Sequence, residues 1–309
     1  MEGSNYLRAA QENESKANKK AKGSFFKNLF GSKGDRLDEA RDLYEKAANS
    51  YKLAQEWQKA GEMYKKCADC ERETDGIPAQ YILDSVSCYK KVNNAEYLTM
   101  AEDAIAMLAE EGRINQAARL RKEVAENYEQ QYEYEQAVIE YDKAAQLYEM
   151  EDSVSFANQC YVKEADLMIM LKEVNFEKAI QTYNKVINEY MKKDILKSSA
   201  KGLVMKECLC YMANDDLVGA RNRYQNFSFE DVAFANSREG ELLSNLFTAK
   251  EMNDVDSFQK TLHEYNRITP LKKEETQILV HVKDTFGGLG DGLNLAGNDD
   301  AEEKEPDFT

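Results

Sequence analysis

The sequence predicts an all-α chain: a right-handed, tetratricopeptide-like solenoid of about fourteen antiparallel helices, closed by a C-terminal helical bundle. Three observations predict it. Apolar residues recur at spacings of three and four, an alanine-led stripe returns about every twenty residues, and apolar alternation at period two is never sustained. With 309 residues but only 3 Pro and 15 Gly, and no long linker, the chain reads as one elongated, repetitive domain.

Residues 1–35 read as an N-terminal helix followed by a basic, hydrophobic loop. In the loop, Phe25, Phe26, Leu29 and Phe30 are bracketed by Gly23, Ser24, Gly31 and Ser32, which suits a connection better than a helical seam. Lys20, Lys22, Lys27 and Lys33 surround them. Such lysines attract anionic headgroups at about 1 kcal/mol each. Each large apolar side chain entering the acyl boundary adds roughly 1.5–3 kcal/mol. The segment therefore predicts reversible membrane adhesion through Lys22, Phe25, Phe26, Lys27, Leu29 and Phe30. The alternative is that these phenylalanines pack beneath the first helical hairpin.

Residues 36–230 carry the solenoid pattern. Leu37, Ala40, Leu43, Tyr44, Ala47, Ala48 and Tyr51 form one amphipathic face, and Trp57, Ala60, Tyr64 and Cys67 form the next. Asp75-Gly76-Ile77-Pro78 then ends one helix and starts another. Ala117, Ala137, Ala157, Ala179, Ala200 and Ala220 follow at separations of 20, 20, 22, 21 and 20, so a helix of about 17 residues plus a short turn repeats. Paired units give a period near 40, longer than the 34 of a standard tetratricopeptide repeat but of the same helix-turn-helix kind. A methyl group at a crossing lets backbones approach to about 8–10 Å. Tyr134 and Phe176 place an aromatic at the start of their helices. Residues 231–286 read as a helical bundle whose last helix begins near Thr269-Pro270 and stops at Gly287-Gly288, and residues 287–309 read as a flexible acidic tail.

A net charge of −16 argues against nucleic-acid binding, which requires a basic face. The charge is uneven: residues 1–33 hold seven Lys/Arg against three Glu, whereas residues 287–309 hold seven Asp/Glu against Lys304. The two ends thus suit partners of opposite sign. The six cysteines fall within apolar helical pattern, and neither a signal peptide nor an 18-residue apolar run is present, which points to the reducing cytosol. Cys67-x-x-Cys70 could be a redox or zinc pair, but neither histidine is close in sequence, and buried structural thiols fit better.

No nucleophile motif, zinc motif or phosphate-cradling loop is found, and only His263 and His281 are available for proton transfer, so no enzyme and no cofactor or metal is expected. Gly288-Leu289-Gly290-Asp291-Gly292 follows a helix rather than a strand and is not a dinucleotide loop. Charge offers more. Arg113, Arg119 and Lys122 lie within three turns, the latter two on one helix face, and can steer an acidic partner to an otherwise acidic protein. The alternative is a solvated face paired with Glu123 and Glu126.

Short motifs in a fixed order resemble a known family. Ser24-Phe25-Phe26, Leu29-Phe30-Gly31, Glu39-Ala40, Tyr44 and Ala47-Ala48-Asn49 resemble the opening of the alpha/beta branch of soluble NSF attachment proteins. Ser198-Ser199-Ala200-Lys201, Ser237-Arg238-Glu239 and Val255-Asp256-Ser257-Phe258 resemble its later landmarks. The resemblance implies a cytoplasmic adaptor, peripheral on anionic membranes. Several copies would wrap an assembled SNARE four-helix bundle of syntaxin-like, synaptobrevin-like and SNAP-25-like chains. The adaptor would also dock and stimulate the hexameric ATPase NSF, so that ATP hydrolysis by NSF separates the bundle in membrane trafficking. It further implies Arg113, Arg119, Lys122, Lys163 and Lys201 as SNARE-binding, and Asp215, Glu251, Asp307 and Phe308 as NSF-binding. Departures are Gln159 where the family has a lysine, Thr248 and Met252 where it has acids, and a longer tail in which Phe308 stands for a penultimate leucine. A helical-repeat scaffold or a membrane tether without NSF are the rival readings.

Overall fold

A computed structural model describes residues 2–22, 33–74, 76–92 and 94–286. Among these residues the chain is all-α, with fourteen α-helices and no strand. They are α1 (Glu2–Lys22), α2 (Lys33–Leu53), α3 (Trp57–Glu73), α4 (Ala79–Tyr89), α5 (Asn94–Glu110), α6 (Ile114–Gln130) and α7 (Tyr134–Met150). There follow α8 (Val154–Met168), α9 (Phe176–Met191), α10 (Lys197–Ala213), α11 (Leu217–Glu230), α12 (Arg238–Glu251), α13 (Val255–Ile268) and α14 (Lys273–Asp284). The repeated helix-turn-helix arrangement is tetratricopeptide-like.

The alanine ladder has a single structural register. Ala117, Ala137, Ala157, Ala179, Ala200 and Ala220 are each the fourth residue of their helix, and all are buried. Ala60 holds the same place in α3, while Ile82, Tyr97 and Phe258 hold it in α4, α5 and α13. In these ten helices the position faces inward, one turn past the helix start, so its volume sets how near the neighbouring backbone comes.

Six of the turns share one geometry. Gln55, Gly112, Tyr132, Asp152, Asp215 and Asn253 adopt left-handed φ values between 51° and 72°. The next residue's N–H then donates to the carbonyl five residues earlier, at 2.7–3.0 Å, as in Arg113 N to Leu108 O. This is the helix-ending motif that satisfies otherwise orphaned carbonyls. Only one of the six is glycine, which is why these helix ends carried no composition signal. The prolines sit slightly outside the expected places: Pro78 is the residue before α4, and Pro270 lies three residues before α14, whose entry is instead closed by Glu275 accepting from Lys272 N at 2.9 Å. α14 stops at Asp284, short of Gly287.

The chain divides into two compact units, Met1–Asn127 with Gln146–Val154, and Tyr128–Ala145 with Ser155–Thr309. In the first, α1 lies along α2, burying Ala10 and Ala17. Tyr44 donates to Asn18 (2.8 Å) and Tyr51 to Glu14 (2.7 Å) across that seam. α3 and α4 approach so closely that a Cβ at Gly61 would meet the Tyr89 ring at 3.0 Å. In the second unit α10 is central, packed by α9, α11, α12 and α14, and is buried nearly all round. A helix covered on every side has no polar face to present to water.

Candidate functional site

The α5–α6 turn and the first half of α6 place the basic residues. Gly112, at φ +72°, lets the chain reverse, and Arg113 immediately precedes α6. Its guanidinium reaches Gln116 Oε1 at 2.6 Å and Glu111 Oε2 at 3.4 Å. One and a half turns on, the Arg119 side chain is 79% exposed and touches Glu123 at 3.5 Å. Lys122 lies 3.8 Å from Glu126. Both acidic neighbours named by the solvated-face alternative are therefore present. Pairs of this kind contribute only about 0.3–0.5 kcal/mol each, too little to hold the cations against a better acceptor. Arg121 is different: it points inward and binds both carboxylate oxygens of Glu102 at 3.1 Å, tying α6 to α5.

In the second unit, Lys163 on α8 is exposed and holds Glu129 at 2.7 Å, with Gln159 exposed one turn earlier. Lys201, in the first half of α10, is half-buried against Asp231 at 3.3 Å. Its charge is already matched by a shielded carboxylate, so it is less available than Lys163.

The acidic residues converge. Asp215 occupies the left-handed position between α10 and α11, and its exposed carboxylate meets Lys250 at 3.3 Å. Glu251, the last residue of α12, meets Arg221 of α11 at 2.7 Å. Lys250 also donates to Thr285 Oγ1 at 2.6 Å and sits 4.9 Å from the centre of the buried Phe286 ring. Thus Asp215, Glu251 and the point where residues 287–309 depart lie at one end of the α10–α14 group. Thr248 and Met252 are at the same end, and Met252 is 73% exposed.

The family model described as "Soluble NSF attachment protein, SNAP" matches residues 8–287. The chain belongs to the soluble NSF attachment protein family. It is 34% identical over 282 residues to the alpha-soluble NSF attachment protein of Vitis vinifera, covering 91% of this chain and 95% of that one. To the human alpha-soluble NSF attachment protein it is 32% identical over 268 residues, covering 86% and 90%. To the vesicular-fusion protein SEC17 of Komagataella phaffii it is 30% identical over 295 residues, covering 94% and 98%. As a soluble NSF attachment protein it is an adaptor and not an enzyme.

Of the membrane residues expected in this family member, Lys22 ends α1 in an exposed basic turn with Lys19 and Lys20. Phe25, Phe26, Lys27, Leu29 and Phe30 lie outside the described residues, as do Asp307, Phe308 and the whole acidic tail. No described helix is long and apolar enough to cross a membrane. All six cysteines are buried and free, and burial pushes the Cys70 thiol up to about 11 and the Cys67 thiol further, away from the reactive thiolate.

Sequence reasoning missed the buried ionic groups of the attachment-protein core. Lys206, with a side chain only 4% exposed, bridges Asp166 and Glu274 at 2.8 Å each, and Tyr183 donates to Asp166 at 2.6 Å. Glu207 beside it takes Arg223 at 2.6 Å and Asn184 at 3.1 Å. These pairs lock α14 and α11 onto α10. The partners lie 40 and 68 residues from Lys206, so no local spacing could have signalled them.

Proposed function

We propose that this chain is the cytoplasmic adaptor through which the ATPase NSF acts on assembled SNARE bundles in vesicle fusion and membrane trafficking. The observation that carries the reading is chemical segregation on an acidic protein. Weakly held cations stand just before α6 (Arg113), on α6 (Arg119 and Lys122) and on α8 (Lys163). Exposed carboxylates, Asp215 and Glu251, gather where the acidic C-terminal segment leaves the fold. The cations suit the acidic flank of a helical bundle, and the carboxylates suit a basic docking face on the ATPase.

On this reading the adaptor transmits force and performs no chemistry, and it needs no cofactor. Several copies clasp one bundle, each contributing a few exposed pairs, so that avidity compensates for contacts that are individually weak. The loop around Phe25 and Phe26, entering an anionic membrane together with Lys22, keeps the adaptor near bundles still anchored there. The acidic segment that contains Asp307 and Phe308 completes the ATPase contact.

Reversing Arg113 and Arg119 to glutamate tests the basic surface. The double variant should retain its helical circular dichroism and lose at least tenfold in affinity for an assembled bundle in a pull-down titration. Undiminished capture would leave these cations as a solvated face and favour a helical-repeat scaffold of another specificity.

A further inference from the structure

Lys250, the next-to-last residue of α12, has a side chain only 11% exposed, and its ammonium group gathers three separate elements. It donates to the carbonyl and to Oγ1 (2.6 Å) of Thr285, the residue that caps α14. It pairs with Asp215 in the α10–α11 turn at 3.3 Å, and it stands 4.9 Å from the centre of the Phe286 ring. A helix's last carbonyls lack partners within the helix and carry partial negative charge, so a cation suits the end of α14. The ring face of Phe286 attracts the same charge. Phe286 is itself fixed, buried with its ring 5.1 Å from that of Phe258 on α13. Arg221, which pairs with the neighbouring Glu251, is 37% exposed and open to a docking partner. Lys250, by contrast, cannot be drawn from Asp215 without giving up Thr285 and Phe286.

Residues 287–309 follow directly from Phe286, so Lys250 joins the root of the acidic C-terminal segment to a carboxylate at which NSF is proposed to dock. We infer that Lys250 is a positioning residue for stimulation of the ATPase: it fixes the direction in which that segment leaves the fold relative to Asp215 and Glu251. This rests on the proposed docking of NSF and extends it to a cation that carried no motif. Two effects of one charge then oppose each other. Toward the docking partner, Lys250 offsets part of the Asp215 charge and so weakens the attraction of a basic face. Toward the segment, it holds Thr285 and Phe286 in place. A residue that served stability alone would move docking and stimulation in the same direction.

The experiment measures capture of purified NSF by the chain on an assembled SNARE bundle, and the ATPase rate of NSF in the same mixture. It compares the parent, Lys250→Met and Lys250→Arg, each with and without residues 287–309. Methionine keeps an apolar stem over Phe286 and removes the charge. Lys250→Met should keep its helical circular dichroism, capture NSF at least as tightly as the parent and lose roughly threefold or more in stimulated ATPase rate. Lys250→Arg should retain most of the stimulation. In the shortened chain Lys250→Met should change the ATPase rate no further, because the segment it positions is gone. Thr285→Val, which removes only the Oγ1 contact, should show the same split in milder form, and it carries the test if Lys250→Met does not fold. The inference is overturned, while the adaptor reading stands, by docking and stimulation that fall in parallel, by unchanged stimulation, by an equal loss in the shortened chain, or by a parent that captures NSF without stimulating it. Failure of the parent to capture NSF removes both.

Discussion

Glu164 lies on α8 with its carboxylate almost wholly buried and with Lys178 at 3.6 Å. Burial first, and the neighbouring Asp142 second, raise its pKa to about 7, against the opposing pull of Lys178 and Lys185. The folded chain therefore holds a proton that the unfolded chain releases above its ordinary value of 4.5. The stability this group contributes is complete below that value and is lost as pH rises through about 7. Glu164→Gln should accordingly denature at a higher temperature than the parent at pH 8, with the gap narrowing toward pH 5.5. A gap independent of pH would show that Glu164 is ionised throughout. Gly112 offers a second test at this scale, because nothing lies within 4 Å of a Cβ placed there and only its φ of +72° is at issue. Gly112→Ala should cost about 1 kcal/mol in urea unfolding. It should do so without altering side-chain packing. Neither residue announced itself in the sequence: a Gly-Arg pair reads as an ordinary turn, and burial of Glu164 follows from neighbours on α7 and α9.

At the scale of the element, the ladder alanines show what could be read in advance and why. A buried fourth residue recurs in helix after helix, so the spacing of Ala117 through Ala220 was a direct image of helix length plus turn length. Replacing Ala157 by Leu should therefore overpack the seam and cost about 1–3 kcal/mol, measured by thermal or chemical denaturation. A neutral result would mean that the seam has slack at this position. The turns were less legible. Their left-handed positions are filled by Gln55, Tyr132, Asp152, Asp215 and Asn253 as well as by Gly112, and the tertiary packing of the flanking helices supports a conformation that those residues disfavour alone. Pro270 misled for a related reason: a proline marks where a helix cannot continue backwards, but α14 starts three residues later, at Lys273, with its entry closed by the Lys272–Glu275 contact.

For the whole molecule, the all-α architecture was legible from periodicity, and the family from short motifs held in order over most of the chain, as the match across residues 8–287 bears out. The candidate surfaces were legible only in part. Arg119 and Lys122 could be placed on one face because three residues bring side chains into line on a helix. The gathering of Asp215 with Glu251 required α10–α14 to be folded first. Residues far apart in sequence build it, and a charge is distinguished by what shields it, not by its identity. That is why Lys201, matched by the shielded Asp231, and Lys163, on an exposed face, are unequal although both were singled out by resemblance.

The adaptor account is tested most directly by release of fluorescently labelled SNARE subunits from a preformed bundle mixed with this chain, purified NSF and Mg-ATP, with a nonhydrolysable ATP analogue as control. Release should require the chain and hydrolysable ATP together, and should fall when Arg113 and Arg119 are reversed to glutamate or when Asp215 and Glu251 are reversed to lysine. Bundles that stay intact with the unaltered chain present, while a bona fide attachment protein releases them under the same conditions, would contradict it.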